Sequence, residues 1–101
     1  MRAVEQAAVP LILPRSSRAT LGLVIAHLNQ TRGAWQLATG ADAGTVAVMM
    51  GELWKGHHDR HGGQPGMAAP TAAAAEVALT LASTLVMWLV NGHLVQATGT
   101  P

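Results

Sequence analysis

Ala72–Val90, AAAAEVALTLASTLVMWLV, limits what this chain can fold into more than any other stretch. Its nineteen residues carry one charge, Glu76. Thr71, just after Pro70, is placed to cap a helix, and Asn91-Gly92 is placed to close it. Nothing else in the sequence is as apolar or as continuous. Such a helix either crosses a bilayer or lies in the core of a protein or assembly. Its averaged hydropathy reaches the level of a spanning helix, and its length just meets the roughly 20 residues a span needs.

Composition bears on that choice. The chain has 101 residues, enough for one domain. Half are hydrophobic and 11% are charged, against roughly 25% in an average soluble domain. A membrane location or a large shared interface is therefore favoured over disorder. Phe and Tyr are absent, and Trp35, Trp54 and Trp88 are the only aromatic residues. A core of Ala, Leu, Val and Met suits close-packed helices better than strands. The expected fold is all-α with about four helices, a compact helical region followed by the long apolar C-terminal helix.

The chain divides into five parts. Residues 1–17 are expected to form a strap: a short helix over Ala3–Val9, then Leu11-Ile12-Leu13 held extended between Pro10 and Pro14. Residues 18–55 are expected to hold three helices. The first, 18–32, is capped by Ser16 or Ser17 and places Leu21, Val24, Ile25 and Leu28 on one face. A short helix over 34–39 precedes Gly40. A third, 43–55, starts at Asp42, buries Val46, Met49, Met50 and Leu53, and stops at Gly56. Residues 56–70, with four glycines and two prolines, read as a linker. Residues 71–92 are the apolar helix, and 93–101 a tail. The N-terminus does not read as a signal peptide, because Glu5 and Pro10 interrupt it and its apolar run ends at Pro14.

Three candidate chemistries follow. In the apolar helix, Leu79, Leu81, Leu85, Trp88 and Leu89 would supply anchoring area, and Thr80 and Ser83 would permit close helix approach. Glu76, Thr80, Ser83 and Asn91 form one stripe with Met87 in its gap, the kind of stripe that faces other helices. All six Lys and Arg residues precede this helix, so a span would leave the N-terminus in the cytoplasm. A helix buried in protein would leave the chain cytoplasmic instead. Gly44 and Gly51, seven apart, mark a second place where a helix could approach closely.

Trp35, Thr39-Gly40-Ala41-Asp42, Thr45-Val46, Met49 and Leu53 together resemble a helix-turn-helix, which implies a three-helix DNA-binding core. Gln36 stands where such motifs commonly have alanine. The outward positions of the second helix would be Ala43, Gly44, Ala47, Val48, Gly51 and Trp54, none able to make bidentate contacts to bases. Phosphate anchoring would rest on Lys55 and Arg32. With a formal charge of +1, nucleic acid is not the expected partner.

His57, His58 and His61 are weak candidates for metal ligands, as His57 and His61 are four apart. The flanking glycines favour a solvated loop. No cofactor is expected. Cysteine is absent, which removes thiolate chemistry. There is no phosphate loop, nucleophile elbow or carboxylate pair at a useful spacing. The expected role is therefore non-enzymatic: an accessory or interaction subunit, anchored in a membrane or buried in a larger assembly or homo-oligomer through its C-terminal helix. The alternatives are a small helix-turn-helix regulator and a His-loop metal-binding module.

Overall fold

The computed structural model of the chain describes residues 2–61 and 71–97; the side chains of residues 56–61 lie outside that description. The described elements run α1 (Arg2–Ile12), α2 (Leu21–Gln30), β1 (Trp35–Leu37), α3 (Ala43–His61), α4 (Ala72–Val90) and β2 (Leu94–Gln96). One 3-10 turn, Arg32–Ala34, leads from α2 into β1. The fold is all-α, with four helices and one small strand pair among the described residues.

The N-terminal strap is helical through Ile12, not extended after Pro10. Val4, Ala8 and Ile12, each four apart, are all buried and form one face. Burying that face offsets the roughly 3 kcal/mol cost of an interior proline. Pro10 itself is exposed, as is Gln6, whose carbonyl loses its helical donor to the proline ring. The helix even gains a closing bond after the proline, from the Leu13 N–H to the Val9 carbonyl at 2.8 Å.

α2 is shorter than the sequence suggests. Its cap is Thr20, whose hydroxyl accepts from the Leu23 N–H at 3.3 Å, and not Ser16 or Ser17. A second group satisfies the same helix end from a distance. The Glu5 carboxylate of α1 accepts from the Leu21 N–H at 2.9 Å, where the positive end of the helix dipole favours an anion. Leu21, Val24 and Leu28 are buried and Ile25 is half-buried, as the periodicity required.

Residues 34–39 form no α-helix: Ala34 ends the 3-10 turn and Trp35–Leu37 are a strand. Trp35 and Leu37 are buried and Gln36 is exposed, the period-two pattern of a strand. β1 pairs antiparallel with β2 in the register Trp35↔Gln96, Gln36↔Val95 and Leu37↔Leu94. Those partners lie in the stretch read from sequence as a tail. A local propensity argument could not see the pairing, because the two strands are almost sixty residues apart in sequence.

The Asp42 carboxylate accepts from the Gly44 N–H at 2.7 Å, so α3 starts where expected. It buries Val46, Met50 and Leu53, with Met49 half-buried. It does not stop at Gly56 but continues to His61. A lone glycine costs only about 1 kcal/mol in a helix, too little to end one without a competing cap.

α4 has the predicted ends. The Thr71 hydroxyl accepts from the Ala74 N–H at 3.0 Å. At the other end Gly92 takes the left-handed conformation, φ +74°. The His93 N–H then bonds to the Trp88 carbonyl at 2.8 Å and the Gly92 N–H to the Leu89 carbonyl at 3.4 Å. This is the Schellman pattern, and it turns the chain directly into β2.

The core is one cluster drawn from every element. α2 packs on α3, where the Trp54 ring lies so close to Gly22 that a Cβ there would meet it at 3.0 Å. α1 covers α2 and α4, and α4 also packs on α3. No polar or charged residue is buried among the described residues.

Candidate interaction surface

The two sides of α4 differ in what covers them. Leu85 and Leu89 are buried in the core, and Ala78, Leu81, Ala82, Val86 and Trp88 pack half-buried around them. These residues recur within one helical arc and face α1 and α3. On the opposite arc no described residue packs over the helix. Ala73, Glu76, Thr80, Ser83, Met87 and Val90 are all exposed. Leu79, beside them, is 69% exposed, and so is Val90. The first six residues, Ala72–Val77, are exposed on every side.

The sequence-derived anchor residues therefore divide. Leu85 and Leu89 are consumed by the chain's own core, Leu81 and Trp88 are half-buried against it, and Leu79, Thr80 and Ser83 remain outside. The polar stripe does not face the protein's own helices; it points away from them. Glu76, Thr80 and Ser83 lie on the side opposite Leu85, because the greasier arc won the core. The Thr80 hydroxyl donates to the Glu76 carbonyl of its own helix at 2.9 Å, so it competes for no outside partner.

The structure extends that stripe back to Ala73, and at its other end Val90 closes it within the helix while Asn91 stands outside as the C-cap. Ala73, Glu76, Thr80, Ser83, Met87 and Val90 are separated by three, four, three, four and three residues. This alternation is the seam spacing of a coiled coil, here on a helix face left uncovered. Ala73 and Val90 were not singled out from sequence. The spacing was present there, but only the fold decides which arc of an almost uniformly apolar helix is left outside.

The other candidates assemble less. The six residues expected to point outward from the helix-turn-helix do not share an exposed face. Ala43 and Ala47 are buried, Gly44, Gly51 and Trp54 are half-buried, and only Val48 is exposed. The element in front of the turn is a strand, so the motif's first helix is missing. Gly44 and Gly51 do not share a groove: a Cβ at Gly44 would meet Asp42 and Arg32, whereas Gly51 faces open space. The backbone of His57, His58 and His61 is helical, and their side chains lie outside the described residues. Among the described residues no three His, Asp or Glu side chains gather closely enough to hold a metal ion. A shallow depression of about 370 Å³ is lined by Ile12, Leu13, Pro14, Arg15 and Ser16, with no imidazole or carboxylate in its wall.

No protein-family model, curated protein or solved structure matches this chain.

Proposed function

We propose that the protein is a non-enzymatic interaction subunit that docks another protein helix along the outward arc of α4. The observation that carries this reading is the uncovered stripe Ala73–Glu76–Thr80–Ser83–Met87–Val90 on a helix whose opposite side is fixed in the core. The body holds the stripe rigid, and the small Ala73, Thr80 and Ser83 let a partner backbone approach. Leu79 and Val77, both exposed, widen the apolar area beside it. Contiguous exposed apolar surface of this kind marks interaction sites.

The membrane reading is favoured by one fact: α4 is long and apolar enough to cross a bilayer. Its docking argues for protein instead. A span exposes every side of a helix to lipid over about 30 Å. Only Ala72–Val77 stands clear of the body, about 9 Å at 1.5 Å per residue. To span, α4 would have to give up Leu85, Leu89 and the β1–β2 pairing that follows. The membrane reading is thus a second state with the N-terminus in the cytoplasm, and the protein-docked chain is cytoplasmic.

DNA binding has the least support. Of the six positions of α3 that would face a base, only Val48 is exposed, and none is Arg, Lys, Asn or Gln.

The test is the native size of the tagged full chain in a detergent-free extract of its own cells. The wild-type chain migrates well above monomer mass, and Met87→Lys shifts it down without loss of folded protein. Recovery of the wild-type chain only in a carbonate-resistant membrane pellet would transfer the proposal to the bilayer.

A further inference from the structure

We infer that His57 and His61 form a chelating pair for a divalent transition-metal ion, copper(II) before nickel(II) or zinc(II). This site is separate from α4 and independent of what docks there.

The sequence alone argues against such a pair. Glycines flank the His57–His61 stretch, and a loop fixes no spacing between two imidazoles. The backbone removes that objection. α3 runs as one helix from Ala43 through Gly56 to His61. Four residues of helix turn the chain by about 400° and raise it by about 6 Å, so positions 57 and 61 share one face, one turn apart. This is the spacing at which two histidines of a helix hold the same metal ion. His58 stands about 100° round from His57 and Asp59 about 200°, so neither belongs to that face. His27 and His93 lie on or beside other helices, α2 and α4.

The place of the pair along α3 points the same way. Met50 and Trp54 precede His57 and His61 in one register, in steps of four, three and four. Met50 is fully buried, and the Trp54 ring lies against Gly22 in the first turn of α2. At the other end of the same packing, the Arg32 side chain lies close to Gly44. α2 and α3 are therefore antiparallel, and α2 starts near the level of Trp54. Lys55–His61 carry α3 about 10 Å further. Over that length the register line changes from Met and Trp to His and His. A helix extended for packing would continue the apolar line; this one ends in two metal-ligand side chains.

The donors select the ion. Imidazole nitrogen suits copper, nickel and zinc, whereas calcium and magnesium need oxygen ligands. Copper(II) heads the divalent affinity order, and no cysteine is present to favour copper(I). Two side chains leave the remaining coordination positions to water, so the ion is exchangeable. An ion held by both residues is held only while residues 57–61 are helical. Its binding must therefore stabilise that last turn.

Calorimetric titration of the full chain with copper(II), nickel(II) and zinc(II) chlorides tests this, together with amide exchange with and without metal. The expected result is one ion per chain, with copper(II) the tightest. His57→Ala or His61→Ala weakens binding by at least roughly tenfold, because losing a ligand costs more than losing a group that merely orients one, itself worth about 10–100-fold. His58→Ala, off the face, changes affinity by no more than about twofold. Metal slows amide exchange at residues 57–61 in the wild type and does not in His61→Ala. The metal-free melts of all three variants match the wild type, which separates lost affinity from lost fold. No saturable binding below about 1 mM metal would overturn the site. An equal loss in His58→Ala would overturn the pairing, since it would mean a loose histidine cluster. Binding that leaves exchange at residues 57–61 unchanged would also overturn it, since the ion would not be held across the turn.

Discussion

The inward and outward arcs of α4 belong to one apolar helix and meet opposite fates. Leu85 is fully buried, whereas Leu79, six residues earlier on the same helix, is 69% exposed. The difference teaches that apolar content gives a helix the capacity to be buried, while its neighbours decide which side is. α1 and α3 cover the arc without polar side chains, and the arc carrying Glu76, Thr80 and Ser83 is what remains.

The sharpest way to break that comparison is to truncate one leucine on each arc. Leu85→Ala is expected to cost about 2–5 kcal/mol, because a fully buried leucine leaves a cavity. Leu79→Ala is expected to stay within about 0.5 kcal/mol in the dilute monomer. Urea unfolding of both variants checks the pair, and equal losses would mean the arcs are misassigned.

Packed and open positions should differ in the same way where α2 meets α3. Gly22→Ala pushes a methyl group against the Trp54 ring and is expected to destabilise by about 1–3 kcal/mol. Gly51→Ala, in open space within α3, is expected to stabilise by about 0.5–1 kcal/mol through helix propensity. Thermal melts of the two variants should move in opposite directions.

Smaller effects separate the two helix starts that were reached by different means. Thr71→Ala removes the local cap of α4 and should cost about 1 kcal/mol. Glu5→Ala removes the carboxylate that α1 lends to the Leu21 N–H and should cost a similar amount, with weakened docking of α1. Hydrogen exchange distinguishes them: Thr71→Ala should loosen only the first turn of α4, and Glu5→Ala should loosen α1 and the start of α2 together.

Much of the fold was legible because its signals are local. Thr71 and Asn91-Gly92 bound α4, Asp42 starts α3, and the spacing of Leu21, Val24 and Leu28 gives the buried face of α2. What was not legible depends on distant partners. β1 needs β2, the helix across Pro10 needs the core that Val4, Ala8 and Ile12 enter, and Glu5 caps a helix sixteen residues away. α3 runs past Gly56 because a single glycine costs too little to end a helix. The candidate surface was half legible. Its stripe could be counted from Glu76, Thr80 and Ser83, but whether those residues faced inward or outward depended on which arc the other helices took.

The most direct test is amide hydrogen exchange along α4 in detergent-free buffer, at a concentration low enough to keep the chain monomeric. Leu85–Leu89 should exchange only through global unfolding, while Ala74–Val77 should exchange orders of magnitude faster. Uniform fast exchange across Ala74–Leu89 that becomes protected only when lipid is added would contradict the account, because it would mean that α4 is no part of the water-soluble core.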